Sequence, residues 1–183
     1  MSEKREQILQ SATRMIRGGG YNAFSFREIA DEVGIKSSSV HHYFRRKEDL
    51  AVVVAERYSD AFFAALGDPL EFKDSKSVIM HYGAVIRKAF ESSGKACLCG
   101  ILSHESPMMP KPVAAEISSF VDKSVHWLTN ALSFESNQED ADKLLAEARV
   151  IYVAFSGAMA VATLKQDISW IESVESYLLQ QAE

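Results

Sequence analysis

The sequence predicts an all-α fold of about nine helices. Three observations carry this expectation. Apolar residues recur with helical spacing along most of the chain, no stretch alternates with the period of two that a half-buried strand shows, and glycine or proline separates the periodic runs. With 183 residues and 47% hydrophobic content, the chain can bury one core or two small ones.

The first helix is expected over Ser2–Arg17, where Ile8, Leu9, Ala12, Met15 and Ile16 share a face while Lys4, Arg5 and Arg14 point outward. Gly18-Gly19-Gly20 ends it, since glycine takes the positive φ of a helix C-terminus without strain. Tyr21, Ala23 and Phe24 read as core of a three-helix head. Phe26, Ile29, Ala30 and Val33 then mark a short helix, with Ser25 as its cap, Glu28 three residues on to complete a capping box, and Gly34 as its stop. Ile35 to Ser38 form a tight turn, and another short helix runs through Val40, Tyr43 and Phe44. Two short helices joined by a turn after a glycine have the outline of a helix-turn-helix. The second carries Lys36, Ser37, Ser38, Ser39, His41, His42 and Tyr43, all able to hydrogen-bond and none acidic, with Arg45, Arg46 and Lys47 directly after. Such a surface suits phosphate oxygens and base edges.

A long helix is expected from Lys47 to Leu66, burying Leu50, Val54, Tyr58, Ala61 and Ala65 and broken by Gly67-Asp68-Pro69. Ser77–Ser92 comes next, with Val78, Ile79, Tyr82, Val85, Ile86, Ala89 and Phe90 on its apolar side. A short helix over 97–106 is broken by Pro107, Pro110 and Pro112. Pro112–Leu132 carries Val113, Ile117, Phe120, Val121, Leu128 and Leu132. The polar stretch Ser133–Asp140 is a loop, with Ser136 or Asn137 as cap for the next helix. Glu139–Lys165 buries Leu144, Leu145, Ala148, Ile151, Tyr152, Phe155 and Met159, and its later half is rich in small residues that admit another helix. Ile168–Gln181 closes the chain with Trp170, Ile171, Val174, Tyr177 and Leu178.

The net charge of −5 conceals a division. Residues 1–50 hold nine Lys/Arg against seven Asp/Glu, whereas the remainder holds eleven against eighteen. A basic head on an acidic body confines affinity for a polyanion to the head. Cys97 and Cys99 are too close in sequence for an ordinary structural disulfide. The N-terminus is charged and amphipathic, without the apolar core of a signal peptide. No apolar run is expected to reach the ~18 residues of a bilayer span, so the expected location is the cytoplasm, with no membrane partner.

The run GYNAFSFREIADEVGI followed by SSSVHHYFRRKEDL resembles the DNA-binding domain of the TetR/AcrR family of transcriptional regulators. The resemblance covers about the first sixty residues. It implies a helix-turn-helix DNA-binding domain over 1–48 and a helical ligand-binding and dimerisation domain over 49–183. It places His41 and His42 on the recognition helix, with His42 and Tyr43 matching the family's His-Tyr pair. The tyrosine hydroxyl and the lysine matching Lys47 would bond phosphates. Arg27, Lys36, Ser37 and Ser39 match positions that often touch DNA, and His41 stands where the family often has another aromatic. The same resemblance implies that the long helix from Lys47 passes a tilt of the body to the DNA-reading surface. The implied partners are a palindromic double-stranded operator, a small apolar or amphipathic effector and a second copy of the chain. Candidate pocket residues are Tyr58, Phe62, Tyr82, Ile86, Phe90, Ile101, Met108, Phe120, Trp127 and Phe155, each of which also serves as plain core.

Other chemistries compete with this reading. His41 and His42 are adjacent, so on a helix they point about 100° apart and make a poor metal pair. Cys97, Cys99, His104, Met108 and Met109 admit a thiol-based redox or electrophile sensor, or a soft-metal site, against the alternative of small apolar packing residues. There is no glycine-rich phosphate loop, no His-Glu-x-x-His and no nucleophile elbow, so the expectation is a regulator, most simply a repressor, with no catalytic residues, no cofactor and no metal.

Overall fold

The computed structural model describes residues 2–92, 94–95, 97–105, 108–133 and 141–182. Nine α-helices and two single 3-10 turns, Tyr21–Ala23 and Pro69–Glu71, make up the secondary structure of those residues. The helices are α1 Glu3–Gly19, α2 Phe26–Val33, α3 Ser37–Tyr43, α4 Lys47–Leu66, α5 Ser75–Glu91, α6 Leu98–Glu105, α7 Lys111–Ala131, α8 Ala141–Lys165 and α9 Ser169–Gln181. The all-α expectation holds. Pro107 and the loop caps expected at Ser136 or Asn137 lie outside the described residues.

Contacts group the chain into two compact units. Met1–Asp60 with Leu98–Ser118 form the first, and Ala61–Cys97 with Ser119–Glu183 the second. The expected 1–48 head therefore lies within a first unit that also takes in the start of α4, α6 and the start of α7.

In the first unit, α1 runs two residues past the expected stop and ends where Gly20 takes φ 80°, ψ −167°, with its N–H bonded to the Ile16 carbonyl. Ile8, Leu9, Ala12 and Ile16 face the core. The Ser25 hydroxyl caps α2 by accepting from the Glu28 N–H at 3.2 Å, and Gly34 closes it in the left-handed conformation at φ 70°. One buried residue, Val40, seats α3, and Phe44 is buried just beyond it. The start of α4 is fixed by Asp49, which accepts from the Arg46 backbone N–H at 3.0 Å, so the third helical residue reaches back to the cap. The expected stripe on α4 needs correction. Ala61 and Ala65 are exposed and Tyr58 is half-buried, while Leu50, Ala51, Val54, Ala55, Phe62 and Leu66 are buried. Alanine suits either face of a helix, and the larger Phe62 and Leu66 decide which side turns inward.

The second unit is built on α5, α8 and α9, which pack on one another. Asp74 caps α5 by accepting from the Ser77 N–H at 2.7 Å. The end of α4 is held by two rings: Trp127 Nε1 donates to the Gly67 carbonyl at 2.9 Å, and His81 Nε2 lies 3.0 Å from the Leu66 carbonyl, which it meets as a donor. The Arg87–Glu175 ion pair joins α5 to α9, and the buried Glu175 carboxylate lies against Gly83, where a Cβ would come within 2.9 Å of it.

A second correction concerns α8. The sequence reading expected no run approaching bilayer length, yet this 25-residue helix contains an 18-residue window of mean hydropathy 1.5, long and apolar enough by composition to cross a membrane. Ala148, Ile151, Phe155, Ala158, Met159 and Ala162 are buried in the unit, while Val150, Val153 and Leu164 are 60%, 65% and 79% exposed.

Candidate nucleic-acid interface

The turn of the helix-turn-helix is short because Gly34 reverses the chain and the Ile35 N–H returns to the Ala30 carbonyl at 2.9 Å. Burial of Val40 and Phe44 then sets the outward face of α3. Lys36, Ser38, His41 and His42 are exposed, and Ser37, Ser39 and Tyr43 are half-buried. Arg27, in the first turn of α2, is exposed as well. The structure thus leaves Arg27 on α2 and the α3 candidates exposed or half-buried, and α3 carries no carboxylate.

Several of these side chains are oriented by neighbours. The His41 ring meets Phe26 edge-on with centroids 4.7 Å apart, and His42 meets Tyr43 at 5.5 Å. The Tyr43 hydroxyl lies 3.0 Å from the Ser2 hydroxyl, tying the end of α3 to the residue before α1. Arg46 is occupied by Glu48 at 2.6 Å and Asp49 at 3.2 Å. Arg14 is paired with Glu32, whose carboxylate also accepts from the Ser11 hydroxyl at 2.7 Å. The Arg14 bond, and after it that of Ser11, holds the Glu32 carboxyl below its ordinary pKa.

Lys47 is placed differently from the others. Its ammonium sits 4.5 Å from the centroid of the Tyr21 ring and 4.4 Å from that of Phe24. Burial lowers its pKa, while Glu28 and Glu105 act in the opposite direction. Sequence reasoning assigned Tyr21 and Phe24 to the core and missed the platform they form for this cation. Their spacing around a helix stop was the available signal. For Glu105 there was none, because it reaches Tyr21 from 84 residues away.

The pocket candidates divide. Phe62, Tyr82, Ile86, Phe90, Phe120, Trp127 and Phe155 are buried in the second unit. Phe62 meets Phe120 at 5.3 Å, and Tyr82 meets Phe155 at 5.6 Å and Trp127 at 6.2 Å. Burial raises the Tyr82 phenol well above its ordinary pKa, so it is a neutral hydroxyl. Tyr58 belongs to the first unit and lines a 150 Å³ pocket between α1 and α4, Ile101 is half-buried on α6, and Met108 is 85% exposed. A groove of 530 Å³ between α7 and α8, floored by Val121, Val125, Leu145 and Val153, was not foreseen. Cys99 is buried and Cys97 half-buried. Among the described residues, no three His, Cys, Asp or Glu side chains are placed to hold a metal.

A capped, glycine-stopped helix leading into a short carboxylate-free helix has the geometry of a helix-turn-helix. Residues 8–54 match the family model described as bacterial regulatory proteins, tetR family. Over 62 residues, 34% of this chain and 30% of the relative, it is 36% identical to the HTH-type transcriptional repressor KstR2 of Mycolicibacterium smegmatis. Over 58% of this chain and 51% of the relative, it is 28% identical to the HTH-type transcriptional repressor ComR of Escherichia coli. The chain thus spans about half or less of the length of these two relatives. A TetR transcriptional regulator from Legionella pneumophila has the same fold, with TM-score 0.90 and 29% identity over 100% of this chain and 99% of that one.

Proposed function

We propose that the chain is a DNA-binding transcriptional regulator, a repressor that holds a palindromic operator as a homodimer and releases it when a small apolar or amphipathic effector enters the body. The observation that carries the reading is the α3 surface, where Lys36, Ser38, His41 and His42 stand exposed with no acidic neighbour on that helix. Groups of this kind meet phosphates and base edges in a major groove, with Arg27, Ser37, Ser39, Tyr43 and Lys47 as flanking contacts. The names of KstR2 and ComR as repressors support the sign of regulation.

The dimer reading is supported by the apolar residues that α8 and α9 leave uncovered. Besides Val150, Val153 and Leu164, they include Trp170 at 45% and Tyr177 at 63% exposure. Pairing these helices with their symmetry mates would cover them, and symmetric dimers are the commonest soluble assembly. The aromatic set around Tyr82 and Trp127 is the part of the body best suited to an apolar effector.

The test is fluorescence anisotropy with the intergenic duplex upstream of the chain's own gene, against a scrambled duplex of equal length, across a salt series. Preferential, salt-sensitive binding to a site with half-sites roughly 34–36 Å apart supports the reading. Absence of binding to any duplex, or binding indifferent to salt, refutes it.

A further inference from the structure

The side chain read as a phosphate contact at the start of α4 is held by its own chain. The Lys47 ammonium rests on two rings, 4.5 Å from Tyr21 and 4.4 Å from Phe24. An ammonium is strongly hydrated and leaves water only where something replaces the lost hydration. Here two ring faces do so, and each attracts a cation.

Tyr21 is in turn held through its backbone. Its backbone N–H donates to Glu105 Oε2 at 2.7 Å. That carboxylate lies so close over Gly20 that a Cβ there would collide with Oε1. Glu105 is the last residue of α6, far in sequence from the helix-turn-helix. It therefore brings one negative charge to the turn whose ring supports Lys47.

We propose that Glu105 is a positioning residue that restrains Lys47: it fixes Tyr21 under the ammonium and sets a carboxylate nearby, so that a DNA phosphate must displace the lysine from the rings against that charge. This rests on the regulator reading above and adds to it a residue outside the helix-turn-helix that sets how strongly a phosphate contact is made. Glu28 also acts on Lys47, but it belongs to α2, within the helix-turn-helix itself. Glu105 alone of the two comes from outside the helix-turn-helix, on α6.

The charge can be separated from the tie. Glu105→Gln keeps an acceptor for the Tyr21 N–H and removes the charge, while Tyr21→Leu keeps the N–H and removes a ring. Both are measured in the full chain by anisotropy with a short duplex of arbitrary sequence, which reads backbone contacts without knowledge of the operator. One phosphate contact contributes a slope of roughly 0.9 in log affinity against log salt, or about 3.5-fold between ~50 and ~200 mM. Each variant is expected to bind more tightly at low salt and to gain up to that much salt dependence. Neither gain should appear in a Lys47→Ala background, where the double variants should match Lys47→Ala alone.

If Glu105→Gln binds as wild type does, Glu105 only ties α6 to the head and the proposal fails. It fails equally if the gain persists without Lys47, since that is a general effect of removing an acid near DNA. A wild type that binds no duplex at any salt refutes the regulator reading itself, an outcome distinct from both.

Discussion

Replacing Gly20 by alanine tests the Gly20–Glu105 contact without any reference to DNA. At φ 80°, ψ −167°, Gly20 occupies a region that is essentially closed to residues with a side chain, and a non-glycine residue there costs roughly 1–3 kcal/mol. The added Cβ would also collide with the Glu105 carboxylate. A flexible side chain can swing away from such a clash. When it does, the Tyr21 N–H loses its charged acceptor at 2.7 Å, a loss of about 1–2 kcal/mol for a partly buried donor. The two parts together come to roughly 2–5 kcal/mol. For a chain of this size ~3 kcal/mol corresponds to a Tm lower by about 6–12 °C in far-UV circular dichroism. Glu105→Ala removes both the oxygen and the bond, so in that background Gly20→Ala should retain only its backbone share. The cycle should then show a coupling of about 1–2 kcal/mol. A Gly20→Ala chain melting within a degree or two of wild type, or additive losses, would refute the argument.

Three further outcomes are expected. A Cβ at Gly157 meets nothing within 4 Å, so Gly157→Trp should leave helix content unchanged while shifting the mass in light scattering towards monomer; an unchanged mass would remove α8 from the dimer interface. Because Cys99 is buried and Cys97 half-buried, a Cys97→Ser, Cys99→Ala variant should hold and release operator as wild type does, and peroxide or an electrophile that released only the wild type would establish the thiol-sensor alternative. The Glu32 carboxyl is held below its ordinary value of 4.5, first by Arg14 and then by Ser11. A depressed folded-state pKa stabilises the fold at pH above the unfolded value and loses that contribution as the pH falls through the folded one. Glu32→Gln should therefore weaken the dependence of Tm on pH below about 4.5 while changing its form little at neutral pH, and identical acid profiles would show that the pair contributes nothing.

The helix-turn-helix was legible because its signals are local. Ser25, Gly34 and the run from Val40 to Phe44 act over four or five residues, and the end of α4 at Leu66 was legible because Gly67-Asp68-Pro69 breaks the helix. The end of α1 was not legible to the residue. Any of three consecutive glycines can leave a helix, and Gly20 is the one against which Glu105 packs, a choice made from a distant part of the chain. The stripe on α4 failed at Ala61 and Ala65 for a related reason: alanine carries too little apolar area to choose a side. On α3 the residue types alone identified the exposed polar face. The position of Lys47 depends on rings placed by the Gly20 turn, and no spacing rule encodes that. The pocket candidates were found as apolar residues, and helical period is the same for a side chain that fills a core and one that lines a cavity.

The charge balance gives the restraint on Lys47 its leverage. The first fifty residues exceed neutrality by only two positive charges, and among their cations Arg14 and Arg46 are already engaged by carboxylates. Withholding Lys47 therefore removes a further one of the nine cations of this stretch from the electrostatic attraction. On a two-fold operator the same lysine occurs twice. Two contacts of slope roughly 0.9 each multiply to about a twelve-fold change in affinity between ~50 and ~200 mM salt. A homodimer in which both Glu105 side chains are neutralised by the glutamine substitution should thus show, on a palindromic duplex, the square of the salt response gained on a duplex that engages one head. Equal gains on the two duplexes would mean that only one lysine of the pair is ever restrained.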